Sequence, residues 1–393
     1  MPVIYCSLTT VFLYALLRIV FEKSIATSFG CAVSFAFCTF VWTYSRNLFD
    51  GVLCMCLLSG AMLSMMQFRK TMKIHLFLFA TALFGLGVIT RLSMVLPLVA
   101  FALYLTMGFW GDRKLLMRLS LIGIAVLAPF AGWQTYYNHL RTGHWLLSPV
   151  QTGQYATNNA LTGNLAVGVF GLLLSPGKSI FLYVPLALLS VVGFRRFRVR
   201  YPLEAFFVAV LSSLWLILHA RLASWYGAGG WGPRHFVTIA PVLVLPMCES
   251  WEWMRKSLWR RSLLICALVW GAILSASSII GNWQFRWGLA ETQGREQAMI
   301  WSVSGGQPFD MIAGAISNIR NMALHLPGPY LSGCSPINRH ASNTINVWIN
   351  SAAYAGTPRM LLAAAALGLM AVAVSCMIAL RRVILRNSEA SEL

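Results

Sequence analysis

Charged residues are scarce in this chain, and acidic residues are the scarcest. Only 10% of the 393 residues are charged and only 11 are Asp or Glu, whereas a soluble domain carries roughly 25% charge. In their place, 58% of the residues are hydrophobic, and the mean hydropathy is +0.69. These shortages exclude a soluble domain, a coiled coil and a disordered chain. The composition predicts an all-α polytopic membrane protein.

Patterns typical of disulfides and metal sites are also missing. Eight of the nine cysteines lie in or beside apolar runs, where cysteine behaves as a small hydrophobe, and only Cys334 lies in a long polar segment. Cys54 and Cys56 face different sides of a helix and cannot clamp a metal ion between them. The sequence therefore predicts neither a disulfide scaffold nor a cysteine metal centre.

Apolar runs long enough to cross a membrane recur along the chain. A spanning helix needs about 20 mostly apolar residues. The run over residues 75–109 is too long for one crossing, and Thr90 and Arg91 interrupt it, so we divide it there. The resulting eleven predicted spans are residues 4–22, 25–43, 51–67, 75–90, 92–109, 119–137, 179–194, 203–220, 235–250, 262–281 and 360–380.

The net charge of +19 arises largely from short basic clusters between these runs. Such spacing is typical of topology signals and argues against a nucleic-acid partner. With eleven spans, all the clusters fall on one face together with Lys23, and the positive-inside rule makes that face cytoplasmic. The clusters are Arg69, Lys70 and Lys73; Arg113, Lys114 and Arg118; Arg195, Arg196, Arg198 and Arg200; Arg255, Lys256, Arg260 and Arg261; and Arg381, Arg382 and Arg386.

The same topology divides the chain into three regions. Residues 1–281 form a transmembrane core, 282–358 an extracytoplasmic loop region, and 359–393 a final span with a cytoplasmic tail. Apolar residues at helical spacing over 309–326 predict a helix that lies on the membrane. We expect the acids of the loop region, which include Asp310, to be solvated surface residues.

Two unusual groups lie at the predicted extracytoplasmic ends of the spans. Arg46 and Asp50 are about one helical turn apart, where an acid could bind a metal, orient a sugar hydroxyl or act as a base. A helix cap with an arginine partner is the alternative. Arg91 ends an apolar helix, where a guanidinium is costly unless it faces a cavity or an anion. Snorkelling to the interface is the alternative there.

Three more segments on this face carry ligand-binding residue types. Residues 138–155 are rich in hydroxyl and amide groups and suit a loop over a sugar. Pro176 and Gly177 break an apolar run beside Lys178, and this turn suits an anion, although a plain helix-breaking turn explains it as well. Residues 219–235 combine glycines, aromatic rings and two arginines, which suit a phosphorylated sugar. An aromatic belt with snorkelling arginines is the alternative.

Three of these segments resemble the membrane-embedded glycosyltransferases of the GT-C superfamily, in the branch that includes protein O-mannosyltransferases and bacterial lipid A aminoarabinose transferases. The first is YSRNLFD, which ends at Asp50, and the second is GLGVITR, which ends at Arg91. The third extends from LLSPGK, which ends at Lys178, through WGPR, which ends at Arg234. Their order, spacing and common face carry the resemblance.

The resemblance implies an enzyme of the bacterial inner membrane that transfers a sugar from a polyprenyl-phosphate donor to a lipid, glycan or protein acceptor on the extracytoplasmic face. Asp50 is the candidate catalytic base, and a divalent metal stays an open question. Cations would stabilise the departing phosphate, and the candidates are Arg91, Lys178, Arg221 and Arg234. The candidate sugar-binding or lipid-binding residues are Tyr44, Arg46, Tyr155, Trp225, Tyr226 and Trp231.

The sequence departs from the family pattern at its N-terminus. The family has a key aspartate in the first extracytoplasmic loop, after an outward-running helix, and the first span of this chain corresponds to the second of the family. We therefore expect a truncated or degenerate member that is inactive as given, and measurable sugar transfer by the purified chain contradicts this expectation.

Two other function classes stay open at this stage. A transporter or flippase for lipid-linked saccharides also needs arginines and aromatic rings in the membrane, and a non-catalytic assembly subunit is the third class. Transporters often show internal repeats and charges at mid-membrane. This sequence has no visible repeat and its polar groups cluster on one face, which favours an enzyme.

Overall fold

The structure is a computed structural model, and it describes residues 2–46, 49–147 and 160–324. Every regular element in these ranges is helical, which confirms the predicted all-α class. Tyr155, Cys334 and the predicted span 360–380 lie outside the described residues. The helices are α1 (Pro2–Ala15), α2 (Ile25–Phe37), α3 (Val41–Tyr44), α4 (Asp50–Thr71), α5 (Ile74–Thr90), α6 (Val95–Gly108), α7 (Arg113–Thr142), α8 (Leu165–Leu174), α9 (Ile180–Tyr183), α10 (Pro185–Arg200), α11 (Pro202–Ala220), α12 (Ala240–Val244), α13 (Met247–Met254), α14 (Leu258–Ile280), α15 (Trp283–Thr292), α16 (Glu296–Trp301) and α17 (Gln307–Ala323).

Five helical segments in the described ranges are long and apolar enough to cross a membrane, judged by length and composition. The eleven-span count is therefore not confirmed. One physical reason is proline, which lacks the backbone N–H that continues a helix. Pro185 separates α9 from α10, and Pro246 separates α12 from α13. The five segments are Pro2–Val20, Asp50–Thr71, Arg113–Thr142, Pro202–Ala220 and Leu258–Ile280.

Helix α4 forms the centre of the bundle and packs against α1 and α5. Most of its side chains are buried, and many of them are small, such as Cys54, Ser59 and Ala61. Small residues let membrane helices approach closely, where van der Waals packing holds them together. Because α4 has 22 residues, it spans about 33 Å and its two ends lie far apart.

The predicted break at Arg91 is confirmed. Helix α5 ends at Thr90, Arg91 is extended (φ −154°, ψ 120°), and a short 3-10 turn over Leu92–Met94 leads into α6. A Cβ atom on Gly87 would lie 2.7 Å from the terminal methyl of Met94, so a larger residue there would displace that flexible side chain. The break places the Arg91 side chain at the end of the bundle.

Residues from three predicted basic loops and from α13 meet at the other end of the bundle. Lys23 Nζ lies 2.6 Å from Glu249 Oε1, and Arg200 Nη1 lies 3.8 Å from the same oxygen. Arg69 Nη1 likewise lies 2.6 Å from Glu204 Oε1. These contacts agree with the prediction that the basic clusters share one face.

Three helices, α15 to α17, occupy residues 283–323 of the predicted loop region. Helix α17 matches the predicted amphipathic helix over 309–326, with Met311 buried and Ile316 exposed. It packs on α14, and Asn318 donates a hydrogen bond to the Ile280 carbonyl. Asp310 is not a solvated acid, because it accepts hydrogen bonds from Arg286 and its side chain is only 12% exposed.

Candidate active site

Five separated segments line a cavity of about 920 Å³ at the end of the bundle where α4 and α6 begin and α11 ends. Three charged side chains and two histidines line it, and the rest of its wall is mostly apolar. Two of the candidate phosphate-binding arginines and the candidate base therefore meet in one place. The lining residues are Phe49, Asp50, Arg91, Leu92, Ser93, Val95, Leu96, Ala160, Leu161, Leu218, His219, Leu222, Arg234 and His235.

Asp50 is the first residue of α4 and is 44% exposed at the cavity. The backbone N–H of Gly51 donates a 2.8 Å hydrogen bond to its carboxylate. The positive end of the helix dipole favours a negative charge at this position. Asp50 is therefore a carboxylate that the backbone holds at the cavity wall and that an incoming hydroxyl group can reach.

Arg91 reaches the same cavity from the α5–α6 break, and its side chain is 17% exposed. Its Nη1 lies 3.9 Å from Asp50 Oδ1 and has no hydrogen-bond partner, although it is buried. Its guanidinium carbon lies 5.8 Å from the centre of the Phe49 ring. A buried donor on a permanent cation is costly when it is left unpaired. Arg91 is thus suited to bind an anion in the cavity.

Two histidines that the sequence did not single out, His219 and His235, lie next to Arg91. Arg91 Nη2 lies 3.4 Å from His235 Nδ1, and because a guanidinium only donates, Nδ1 is the acceptor. The His235 ring is 5.0 Å from the His219 ring, which bonds through Nδ1 to the Trp215 carbonyl. Their positions in the sequence could have indicated a role in the site, since His235 directly follows Arg234 and His219 lies in the last turn of α11.

Arg234 enters the cavity beside a glycine-rich loop. A Cβ atom on Gly230 would lie 2.4 Å from Arg234 Cδ, and one on Gly227 would lie 2.9 Å from Arg234 Cγ. Gly227 also has φ +79°, a conformation that favours glycine. The glycines therefore clear the space that Arg234 occupies. Its Nε is buried and has no hydrogen-bond partner.

Lys178 supports this loop and is not among the residues that line the cavity. It is fully buried, and its Nζ donates to the carbonyls of Gly230 at 2.7 Å and Ala228 at 3.3 Å. Nζ also lies 4.4 Å from the centre of the Trp287 ring. Burial, and then the charge of Arg234, hold the pKa of Lys178 well below its usual value. Its observed contacts tie the lysine to the loop backbone.

Gln307, at the start of α17, bonds to the same loop and was missed by the sequence analysis. Its Oε1 accepts hydrogen bonds from the Gly232 N–H at 3.0 Å and the Tyr183 hydroxyl at 2.9 Å. Its Nε2 donates to the Gly230 carbonyl at 3.1 Å. No local pattern marks a glutamine 75 residues after its partner, so only the fold reveals this contact.

Tyr44 and Trp231 lie in the packed core beneath the cavity. The Tyr44 hydroxyl donates a 2.8 Å hydrogen bond to the Trp231 carbonyl, and both side chains are buried. The Trp231 ring meets the Tyr183 ring edge-on at 4.9 Å. Arg46 is half-buried, and desolvation lowers its pKa. None of the three candidate ligand-binding residues lines the cavity.

The remaining described candidates also lie outside the lining of the cavity. Arg221 is exposed and donates to the carbonyls of Gly163 and Leu161, so it fixes a segment that itself lines the cavity. Trp225 is buried, and Tyr226 stacks on Trp287 with ring centres 6.3 Å apart. Among the described residues, no group of three or more His, Cys, Asp and Glu side chains could hold a metal ion.

Comparison with known protein families agrees with the resemblance in the sequence. Residues 1–133 match the family described as dolichyl-phosphate-mannose-protein mannosyltransferase. This stretch contains Asp50 and Arg91 but ends before Arg234. The match is consistent with a GT-C glycosyltransferase, and the long apolar helices indicate an integral membrane protein. No curated protein and no solved structure matches the chain.

Proposed function

We propose that the chain is a membrane glycosyltransferase whose cavity binds the phosphate of a polyprenyl-phosphate-linked sugar. The observation that carries the proposal is the convergence of Asp50, Arg91 and Arg234 on one cavity from three separate parts of the chain. The description of the matched family makes mannose the first sugar to test. The acceptor is a hydroxyl group of an extracytoplasmic lipid, glycan or protein.

Phosphate binding rests on the two arginines that line the cavity. Arg91 Nη1 and Arg234 Nε are buried donors without hydrogen-bond partners. A phosphate oxygen supplies the acceptors that these groups lack, and arginine matches phosphate with several parallel donors. Lys178 and Arg221 do not contact the phosphate. They position the cavity indirectly, because Lys178 holds the glycine loop and Arg221 holds residues 161–163 in place.

The transfer step follows from the positions of the acid and the cations. The acceptor oxygen forms a bond to the anomeric carbon on the face opposite the phosphate, and the bond from that carbon to the phosphate oxygen breaks. The bonding electron pair leaves with the polyprenyl phosphate, where Arg91 and Arg234 stabilise the growing negative charge. Asp50 takes the proton of the acceptor hydroxyl.

A variant of Arg234 distinguishes this enzyme from a transporter of lipid-linked saccharides. Proteoliposomes that contain the full chain or its Arg234→Ala variant are supplied with polyprenyl-phosphate mannose and an acceptor. The proposal predicts that the variant loses bound donor, and any glycosylated product that the unsubstituted chain forms, while donor movement across the membrane is the same as in empty liposomes for both proteins. Donor movement that depends on the chain and falls in the variant supports the transporter and contradicts the enzyme.

The matched control is Arg295→Gln. Arg295 is exposed, lies outside the cavity and contacts Gln293 through its Nε. Because this variant removes a positive charge without touching the cavity, donor binding should stay at the level of the unsubstituted chain. An equal loss in both variants would show that overall charge, and not the cavity, controls binding.

A further inference from the structure

A second depression, of about 890 Å³, lies at the opposite end of the bundle from the cavity. We call it the basic groove. It runs between the last turns of α10 and helix α13. Its α10 residues recur every three or four positions and so lie on one face of the helix. The groove is lined by Val192, Arg195, Arg196, Val199, Arg200, Glu249 and Trp253.

Two arginines converge on one aromatic ring of this groove. The guanidinium carbons of Arg196 and Arg260 lie 4.5 Å and 4.1 Å from the centre of the Trp253 ring. Each contact is a cation–π interaction. The two guanidinium groups carry like charges, however, and they repel each other across the ring that they share. Arg260 Nε is also buried without a hydrogen-bond partner. Arg196 lines the groove and Arg260 does not, so an anion in the groove would meet Arg196 and relieve the repulsion between the two cations.

The acids beside the groove do not supply that anion. Glu249 is buried and already paired with Lys23 at 2.6 Å, while Lys23 also lies 3.2 Å from Glu252. Arg200 reaches Glu249 only at 3.8 Å. Both carboxylates therefore contact Lys23, and within the described residues Arg195 and Arg196 form no ion pair. The positive-inside rule explains basic residues on this face, but it does not explain their convergence on a tryptophan in a groove.

Apolar side chains are exposed both in the groove and beside Arg260. Val192 and Val199 line the groove and are 43% and 78% exposed. Leu258 and Trp259 are also exposed, and Arg260 lies 5.3 Å from the Trp259 ring centre. A ligand that suits this surface combines phosphate with hydrocarbon. A soluble phosphate would leave the exposed apolar residues in water. An acidic protein segment would not explain why these apolar residues lie beside a membrane helix.

We infer that the basic groove binds the headgroup of an anionic phospholipid, with its phosphate on Arg196 and Arg200 and an acyl chain along the exposed valines. Basic pockets between membrane helices bind such headgroups by charge. The excess of cations over carboxylates favours a lipid with two phosphates over one with a single phosphate. This site is about the length of α4 away from the cavity and does not depend on the proposed function.

The test measures lipid retained by the purified full chain with native mass spectrometry. Micelles are doped with cardiolipin or phosphatidylcholine, and glycerol phosphate serves as the soluble phosphate. The groove variant is Arg196→Gln with Arg200→Gln, which removes two of the cations that line the groove. The matched control is Arg113→Gln with Lys114→Gln, which removes the same charge from exposed residues on the same predicted face but outside the groove.

We expect the unsubstituted chain to retain cardiolipin in preference to phosphatidylcholine, and the groove variant to lose about tenfold or more of that affinity. The control pair should keep it, and glycerol phosphate should not displace the lipid. Equal losses in both pairs, or none in the groove variant, overturn the inference, and displacement by glycerol phosphate overturns its lipid part. If the double variant does not fold, Arg196→Gln alone is tested by the same criteria.

Discussion

Arg91 Nη1 lies 3.9 Å from Asp50 Oδ1, too far for a hydrogen bond, and it has no other hydrogen-bond partner. The cation and the acid therefore face one cavity without forming a hydrogen bond to each other. This arrangement leaves the arginine free to bind a phosphate and the carboxylate free to accept a proton.

The Asp50→Asn variant should bind polyprenyl phosphate more tightly than the unsubstituted chain. The substitution removes a negative charge close to the bound phosphate, and two charges about 4 Å apart interact by roughly 1 kcal/mol in water. We expect the dissociation constant to fall severalfold while sugar transfer is lost wherever the chain shows it. Binding is measured by titration in detergent micelles. A weaker affinity would show that Asp50 helps to hold the donor and would contradict its role as a base.

The Gly230→Ala variant should weaken donor binding by about tenfold, because a methyl group there collides with Arg234 and displaces it. A Cβ atom on Gly230 would lie 2.4 Å from Arg234 Cδ. The matched control is Gly132→Ala on α7, where a Cβ atom meets nothing within 4 Å. If both variants bind the donor as the unsubstituted chain does, then Arg234 is not the group that contacts it.

The Gln307→Ala variant should lower the free energy of unfolding by about 2–4 kcal/mol. It leaves the Gly232 N–H, the Gly230 carbonyl and the Tyr183 hydroxyl with fewer partners in a buried place. Denaturant titration in detergent measures the change. The exposed Gln297 supplies the control, because Gln297→Ala should stay within about 0.5 kcal/mol of the unsubstituted chain. Similar values for both variants would show that Gln307 does not hold the loop.

The Lys178→Met variant should change how stability depends on pH. Burial holds the pKa of Lys178 well below 10.5, so the unfolded chain binds more protons than the folded chain between the lowered pKa and 10.5. The contribution of this residue to stability therefore rises as pH rises through that window. The free energy of unfolding of the variant should rise less steeply over the same window. Parallel curves for the two proteins would mean that Lys178 is charged in the folded chain.

Parts of this fold follow from local sequence. The break at Arg91 was predictable because an apolar run too long for one span contains a charged residue. The glycines of residues 227–232 indicated close backbone approach, and Arg234 occupies that space. The charge pattern also predicted a common basic face, which the pairing of Lys23 with Glu249 supports.

Other parts depend on contacts that no local pattern encodes. Gln307 bonds to Gly232 across 75 residues of chain, and sequence spacing carries no information about that pairing. The expected solvated acid Asp310 instead pairs with Arg286, because α15 and α17 pack together. The eleven-span count is not confirmed, because hydropathy weighs the apolar content of a run, whereas Pro185 and Pro246 divide runs into short helices.

The most direct test of the account is the binding of polyprenyl phosphate to the purified full chain, because binding does not require turnover. We predict that Arg91→Gln and Arg234→Gln each raise the dissociation constant for polyprenyl phosphate by about 10- to 100-fold, since each removes a charged hydrogen bond of about 1.5–3 kcal/mol. Arg295→Gln should leave it unchanged. Equal affinity in all four proteins would contradict a phosphate site in the cavity.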